Sequence, residues 1–250
     1  MRYWLTPPED EHFDAKVTDI CDLYRVAPAL AQTGERVMST DELTGVQALE
    51  RQHPGLPLAP GKVERREFEY IRHGTRSFII SRDVATGQIV EPYGGPTRTE
   101  ADFLAHVQGV VASDETVVRW HFVADNLNTH CSDSLVRWVA QESGLDLDLG
   151  RKGKSGILIN RKTRAQFLSD TSHRIVFHYT PKHTSWMNQV EIWLSILVRK
   201  LLKRGSFASV EDLQRKVLGF IDYYNRTMAR PFKWTYQGKV LVPILITLRP

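Results

Sequence analysis

Val117-Val118-Arg119-Trp120-His121-Phe122-Val123-Ala124, halted by Asp125-Asn126, is the run that decides the fold. It is short, apolar and rich in β-branched and aromatic residues, so it reads as a buried-type strand. Downstream, Ser132 or Asp133 opens a helix with Leu135, Trp138 and Val139 inward, and Arg174-Ile175-Val176-Phe177-His178-Tyr179 is another such strand, closed by Thr180-Pro181. Upstream, Thr99 caps a helix with Asp102 at its third position and Phe103, Val107, Val110 and Val111 on its apolar face. Ser77-Phe78-Ile79-Ile80 and Gln88-Ile89-Val90-Glu91-Pro92-Tyr93 flank the turn 83–87 as a strand pair, and Glu35 to Glu42 is a short strand ending in acids. Two helical patterns, Asn188 to about Arg204 and Ser209 to about Arg226, follow the last strand. The order is β-β-β-α-β-α-β-α plus one helix, an α/β arrangement with a mixed five-stranded sheet. Before it, Phe13, Val17, Ile20 and Leu23-Tyr24 repeat at helical spacing, and Pro28 is expected to stop that helix.

Of 250 residues, 42% are hydrophobic and 25% charged, the balance of a globular domain rather than a disordered chain. Cys21 and Cys131 stand far apart without a CxxC, which excludes a disulfide framework and a zinc ribbon. The start, Met1 to Asp10, has no apolar signal-peptide core. The most apolar run, Val240 to Leu248, is broken by Pro243 and is less than half a membrane span. A soluble protein of a reducing compartment, with no membrane partner, is expected. The net charge of +4 hides an asymmetry: residues 1–150 hold 14 Lys and Arg against 24 Asp and Glu, and residues 151–250 hold 19 against 5. Basic clusters there alternate with Trp186, Trp193, Phe207 and Trp234, a pattern that suits phosphate contacts and base stacking.

Asp41 follows the first strand, Asp125 follows the central one, and Glu191 lies in the first turn of the helix after the last strand. If the first and fourth strands are parallel neighbours, Asp41 and Asp125 share one sheet edge, and the helix can carry Glu191 over it. Three carboxylates without Cys or His favour Mg²⁺ or Mn²⁺. Two such ions, roughly 3.5–4 Å apart, suit an in-line phosphoryl displacement. Taken singly, each acid is as readily a turn former or a helix-dipole partner; only the constellation points to chemistry.

Around these acids the chain resembles DDE transposases of the IS630 group, in the IS630/Tc1/mariner superfamily. The resembling segments are Ser39-Thr40-Asp41-Glu42 with Gly45-Val46-Gln47-Ala48; Val123-Ala124-Asp125-Asn126-Leu127-Asn128-Thr129-His130; and Thr180-Pro181-Lys182-His183-Thr184-Ser185-Trp186-Met187-Asn188-Gln189-Val190-Glu191-Ile192-Trp193. Phe220 to Asn225 and Arg230 to Tyr236 also fit. The resemblance implies an RNase H-like fold and Mg²⁺-dependent DNA cleavage and strand transfer. It puts Asp41, Asp125 and Glu191 in the catalytic, metal-holding positions. The implied partners are double-stranded DNA, as transposon ends and a TA-containing target, and a second copy of the chain; the implied setting is a bacterial cytoplasm, at the nucleoid when on DNA. It divides the chain into an arm (1–31), a catalytic domain (32–238) and a tail (239–250). The 65 residues between Asp125 and Glu191 exceed the gap in compact members, so a basic insertion, about 149–172, is expected on the rim against DNA. Helix-turn-helix domains of full-length members have no counterpart here, and the likeness is to a catalytic domain alone. A nuclease of the same fold without strand transfer and a non-catalytic DNA-binding remnant remain as rival readings.

The candidate DNA contacts are Lys152, Lys154, Arg161, Lys162, His183, Arg199, Lys200, Lys203 and Arg204. Two readings stand for each supporting residue: Asn126 orients a metal ligand or makes an Asx-turn, and His130 contacts the scissile phosphate or leads into the helix. Asn188 is read as the cap of the helix carrying Glu191 rather than a ligand, Trp186 as core rather than a wedge beside the substrate, and the Tyr223-Tyr224 pair as core rather than a nucleophile pair.

Overall fold

Five strands, β1 (Glu35–Arg51), β2 (Tyr70–Asp83), β3 (Ile89–Gly95), β4 (Arg119–Ala124) and β5 (Ile175–Tyr179), form one sheet in the order β3-β2-β1-β4-β5 in the computed structural model, which describes residues 12–65 and 67–236. The expected tail and the first eleven residues of the expected arm lie outside the described residues. β1, β2 and β3 pair antiparallel, β1 and β2 across the long loop 52–69 and β2 and β3 across the short turn 84–88. β1, β4 and β5 run parallel, which requires crossovers. These are supplied by α2 (Glu100–Ala112), then by α3 (Asp133–Glu142) and α4 (Arg161–Leu168). The result is an α/β fold of RNase H-like topology.

Strand alternation builds two layers. Ile79, Phe122 and Phe177 face α2, α3 and α4, burying Phe103, Val107, Leu135, Val139 and Leu168. Phe78 and Ile80 face the other way, against Trp193 and Leu197 of α5 (Val190–Leu197) and Val217 and Tyr224 of α6 (Val210–Thr227). On that second side α1 (Phe13–Gln32) sets Val17, Ile20, Tyr24 and Ala27 against Val37, Val84 and Val123. The capping box at Thr99, the Ser132 cap and the Ser209 cap start α2, α3 and α6. No helix among the described residues is long and apolar enough to cross a membrane.

Four local expectations give way to tertiary packing. α1 continues through Pro28 to Gln32, because the ring removes one backbone donor while the packed face keeps the turn in place. β1 runs nine residues past Glu42, with a register shift at Gly45 (φ +64°), because its far half pairs with Tyr70–Arg76 of β2. The helix read from Asn188 to Arg204 ends as α5 at Leu197 and widens into a π-helical turn, Val198–Leu202, with Lys203 N bonded to Val198 O at 2.8 Å. The wider turn lets Leu201 and Leu202 join Leu197 against the core. The basic stretch read as a rim insertion also reaches inward. Leu158 and Leu168 are fully buried, and the buried Arg164 donates from Nε to Cys131 O at 2.6 Å and from Nη1 to Leu158 O at 3.2 Å.

Two predictions test this core. Leu168→Ala removes a fully buried side chain and is expected to lower stability by about 2–5 kcal/mol in urea unfolding. His106 of α2 is buried with Nε2 2.8 Å from Ser81 Oγ, and burial pushes its pKa from 6.5 down to about 4. The unfolded chain takes up that proton near 6.5 and the folded chain only near 4, so this contribution is present above pH 6.5 and lost as pH falls toward 4. It amounts to about 3 kcal/mol. His106→Gln should flatten that part of the stability profile between pH 7 and pH 4.

Candidate active site

In the parallel β1–β4 ladder Ser39 lies opposite Val123, so Asp41, within β1, and Asp125, just past the end of β4, stand side by side where that ladder ends. This end of an open α/β sheet is where ligands bind, because the connecting loops diverge there. The start of α5 is fastened to the same strand. The Asn188 amide donates from Nδ2 to Thr40 O at 2.8 Å and to Asp41 Oδ2 at 3.3 Å, and its Oδ1 accepts from the Ser39 hydroxyl. Ser39 Oγ in turn accepts from Val190 N at 2.8 Å. Gln189, the residue before α5, makes no side-chain cap, so a hydroxyl from β1 caps this helix instead. Asn188, read from sequence as that cap, is the bridge between helix and strand. Glu191, one residue past Val190, is thereby carried toward the strand ends.

His130 lies in a 3₁₀ turn, Asn128–Cys131, with its side chain fully buried. Its Nδ1 is 2.8 Å from Asp125 Oδ1 and its Nε2 3.1 Å from Glu42 Oε1. Burial opposes a charge on the ring, but the hydrogen bonds to Asp125 and Glu42 and their negative charges prevail, pushing the pKa up to about 10. The ring is therefore an imidazolium donating from both nitrogens. Burial works to raise the Asp125 carboxyl, and the bond and charge of His130 outweigh it and hold it below its ordinary value. Enclosed this way, His130 neither reaches a phosphate nor simply leads into α3. Glu42, its second partner, escaped the sequence reading; the only signal was an acid directly following Asp41 at a strand end.

The three acids lie in one another's field. Asp41 is raised to about 7, chiefly by burial and further by the charges of Asp125 and Glu191, against the bond it accepts from Glu42 N. Glu191 is raised by burial and by the charge of Asp125. Among the described residues no three His, Cys, Asp or Glu side chains are gathered into metal-binding geometry. As a donor set the acids nevertheless fit a hard divalent cation. Asp125 spends Oδ1 on His130 and Leu127 N, and Glu191 is half-buried with no side-chain hydrogen bond among the described residues.

Asn126 takes neither assigned part. Its Nδ2 donates to Thr180 O, tying the ends of β4 and β5, while Asp125 Oδ1 makes the Asx-type bond to Leu127 N at 2.9 Å. Arg161 donates to Asn126 O, and Lys152 is engaged by Asp133 at 2.6 Å and Glu100 at 3.4 Å. Lys154, Lys162, Lys200, Lys203 and Arg204 are exposed and pair with no carboxylate among the described residues; Arg199 is exposed and bonds Ser195 O. Lys203 and Arg204 line a cavity of about 400 Å³ together with Arg51, His53, Glu64 and Glu67. His183 is exposed, at φ +60°, in the loop before α5. Trp186, expected in the core, is 51% exposed and meets Tyr236 edge-on at 5.0 Å. Of the tyrosine pair, Tyr224 is core against Trp193, and Tyr223 is 52% exposed.

Asn188→Ala strips the donor from Thr40 O and from the buried Asp41 carboxylate. The expected loss is about 1–3 kcal/mol of stability, measured by urea unfolding.

The DDE superfamily endonuclease family matches residues 36–214. No curated protein matches the chain. Among solved structures, the Mos1 mariner paired end complex with Mn aligns at a TM-score of 0.49 and 10% identity, over 89% of this chain and 58% of that one. A pre-cleavage Mos1 transpososome aligns at 0.47 and 11% identity, over 90% and 61%. The catalytic domain of Mos1 mariner transposase aligns at 0.48 and 10% identity, over 89% and 90%. The chain thus spans about three-fifths of the length of the Mos1 chains in the first two. With a family match running from β1 into α6 and taking in all three acids, the chain belongs to the DDE superfamily endonucleases.

Proposed function

We propose that the chain is the catalytic domain of a DNA transposase of the IS630 group, performing metal-dependent strand cleavage and then strand transfer. One observation carries the reading. In a DDE superfamily endonuclease, Asp41 and Asp125 lie side by side just past the parallel β1–β4 ladder, and the helix bearing Glu191 is bonded to β1.

In this reading Asp41, Asp125 and Glu191 hold two Mg²⁺ or Mn²⁺ ions, the hard cations that an all-carboxylate donor set favours. Such ions supply Lewis acidity at the phosphoryl oxygens and at the attacking and leaving oxygens. The chain's own groups prepare the site. His130 keeps Asp125 ionised and aimed, and Asn188 orients Asp41. Lys154, Arg161, Lys162, His183, Arg199, Lys200, Lys203 and Arg204 hold the DNA backbone against a centre that is otherwise anionic. Lys152, clasped by two carboxylates, contributes less. Water is the first nucleophile and the freed 3′-hydroxyl the second. The substrates are transposon ends and a TA-containing target, a second copy of the chain completes the assembly, and the setting is the bacterial nucleoid.

Asp125→Asn is expected to abolish Mg²⁺-dependent nicking of a plasmid while DNA retention in a filter assay stays nearly intact; unimpaired nicking would refute the assignment. Joined ends among the wild-type products support strand transfer, and nicked products without joining favour a nuclease. Replacing Lys203 and Arg204 by Gln should reduce the slope of log affinity against log salt by about 0.9 for each phosphate no longer neutralised.

A further inference from the structure

We propose that His121 and His178 form a binding site for a borderline divalent transition cation such as Zn²⁺, separate from the three acids. The two rings stand on the adjacent parallel strands β4 and β5, His121 Nδ1 facing His178 Nε2 at 3.0 Å. Each ring's other nitrogen meets a carboxylate: His121 Nε2 lies 2.8 Å from Glu35 Oε2, and His178 Nδ1 lies 2.7 Å from Asp19 Oδ2. Glu35 belongs to β1 and Asp19 to α1, so four elements meet in this row.

The row is one positive charge short. Three contacts need three hydrogens; two neutral imidazoles carry one N–H each, and carboxylates carry none. When both N–H groups serve the carboxylates, two bare lone pairs converge between the rings. Imidazoles oriented by carboxylates on their far nitrogens are the usual arrangement of metal-ligating histidines. Zinc–nitrogen bonds of about 2.0–2.1 Å at tetrahedral angles separate the two nitrogens by about 3.3 Å, so the nitrogens part by a few tenths of an ångström and each ring turns to aim its lone pair at the ion. Burial pushes His121 below its ordinary pKa, which favours the neutral, ligating ring.

Charge and access agree with this. Two carboxylates face the pair, and the cation beside them, Arg119, lies 3.9 Å from Glu35. β5 is an edge strand and the Asp19 side chain is 52% exposed, so an ion can enter beneath the margin of α1, with water completing its shell. Asp125 is four residues along β4 from His121, roughly 13 Å. An ion here would seat α1 on the sheet. Tyr24 of α1 donates to Met187 O at 3.0 Å and accepts from Gln189 N at 3.3 Å, on either side of Asn188.

The test titrates the full chain, stripped with EDTA and kept in excess Mg²⁺, with ZnCl₂ against a chromophoric competitor, and follows the unfolding temperature in parallel. One saturable equivalent that raises the unfolding temperature is expected. It should persist in Asp125→Asn, vanish in His178→Gln, and weaken about 10–100-fold in Asp19→Asn. If His178→Gln fails to fold, the half-exposed Asp19 carries the test. The proposal is overturned by no zinc uptake, as from rings that merely share a proton. Uptake lost in Asp125→Asn, or affinity unchanged in Asp19→Asn, overturns it equally.

Discussion

Like charges brought to one end of a sheet repel, and the architecture around Asp41, Asp125 and Glu191 is a set of answers to that repulsion. The main one is an imidazolium sealed in the core. His130 is held between Asp125 and Glu42, and its charge survives burial only because two carboxylates meet it at hydrogen-bond distance. It stabilises Asp125 as an anion while leaving Asp41, bonded to neutral donors, prone to protonation near neutrality. The two neighbouring acids thus differ because Asp41 is the more deeply buried, while Asp125 takes a hydrogen bond as well as a charge from His130.

A second constraint is mechanical. A helix start leaves backbone N–H groups without partners, and α5 takes one acceptor from β1 rather than from its own cap residue. The Ser39 hydroxyl donates to Asn188, and Asn188 also reaches Thr40 and Asp41, so β1 and the start of α5 are tied together. The Tyr24 hydroxyl braces the same loop from the side of α1. The arginine Arg82, fully buried, adds a further tie, donating to Gln189 Oε1 and to Arg230 O and lying over the Phe232 ring. Loops at the carboxyl edge of a sheet would otherwise be the least restrained part of the molecule.

The layers of the fold were legible because periodicity survives in one dimension. Phe78, Ile79 and Ile80 alternate between opposite cores, Phe103, Val107 and Val110 repeat at helical spacing, and Thr99 and Ser209 announce their helices. What escaped was whatever depends on a distant partner. Leu49 to Arg51 extend β1 only because Tyr70 to Arg72 lie opposite. Trp186 looked like core, since large aromatics generally are, yet it stands at the surface against Tyr236. Lys152 looked like a free cation until Asp133 and Glu100 were found beside it.

Sequence by itself determined the order of the strands and of every helix but α4, the split between an acidic and a basic half, and the three segments in which the acids fall, because composition, local period and motif all act over a few residues. Tertiary structure alone decided that Ser39 caps α5, that His130 is a buried cation shared with Glu42, and that His121 and His178 face each other between Glu35 and Asp19. Each of those contacts joins residues from 57 to 159 positions apart, or depends on one that does. Their energies come from desolvation and from register across a sheet, and neither is a property of a local stretch of chain.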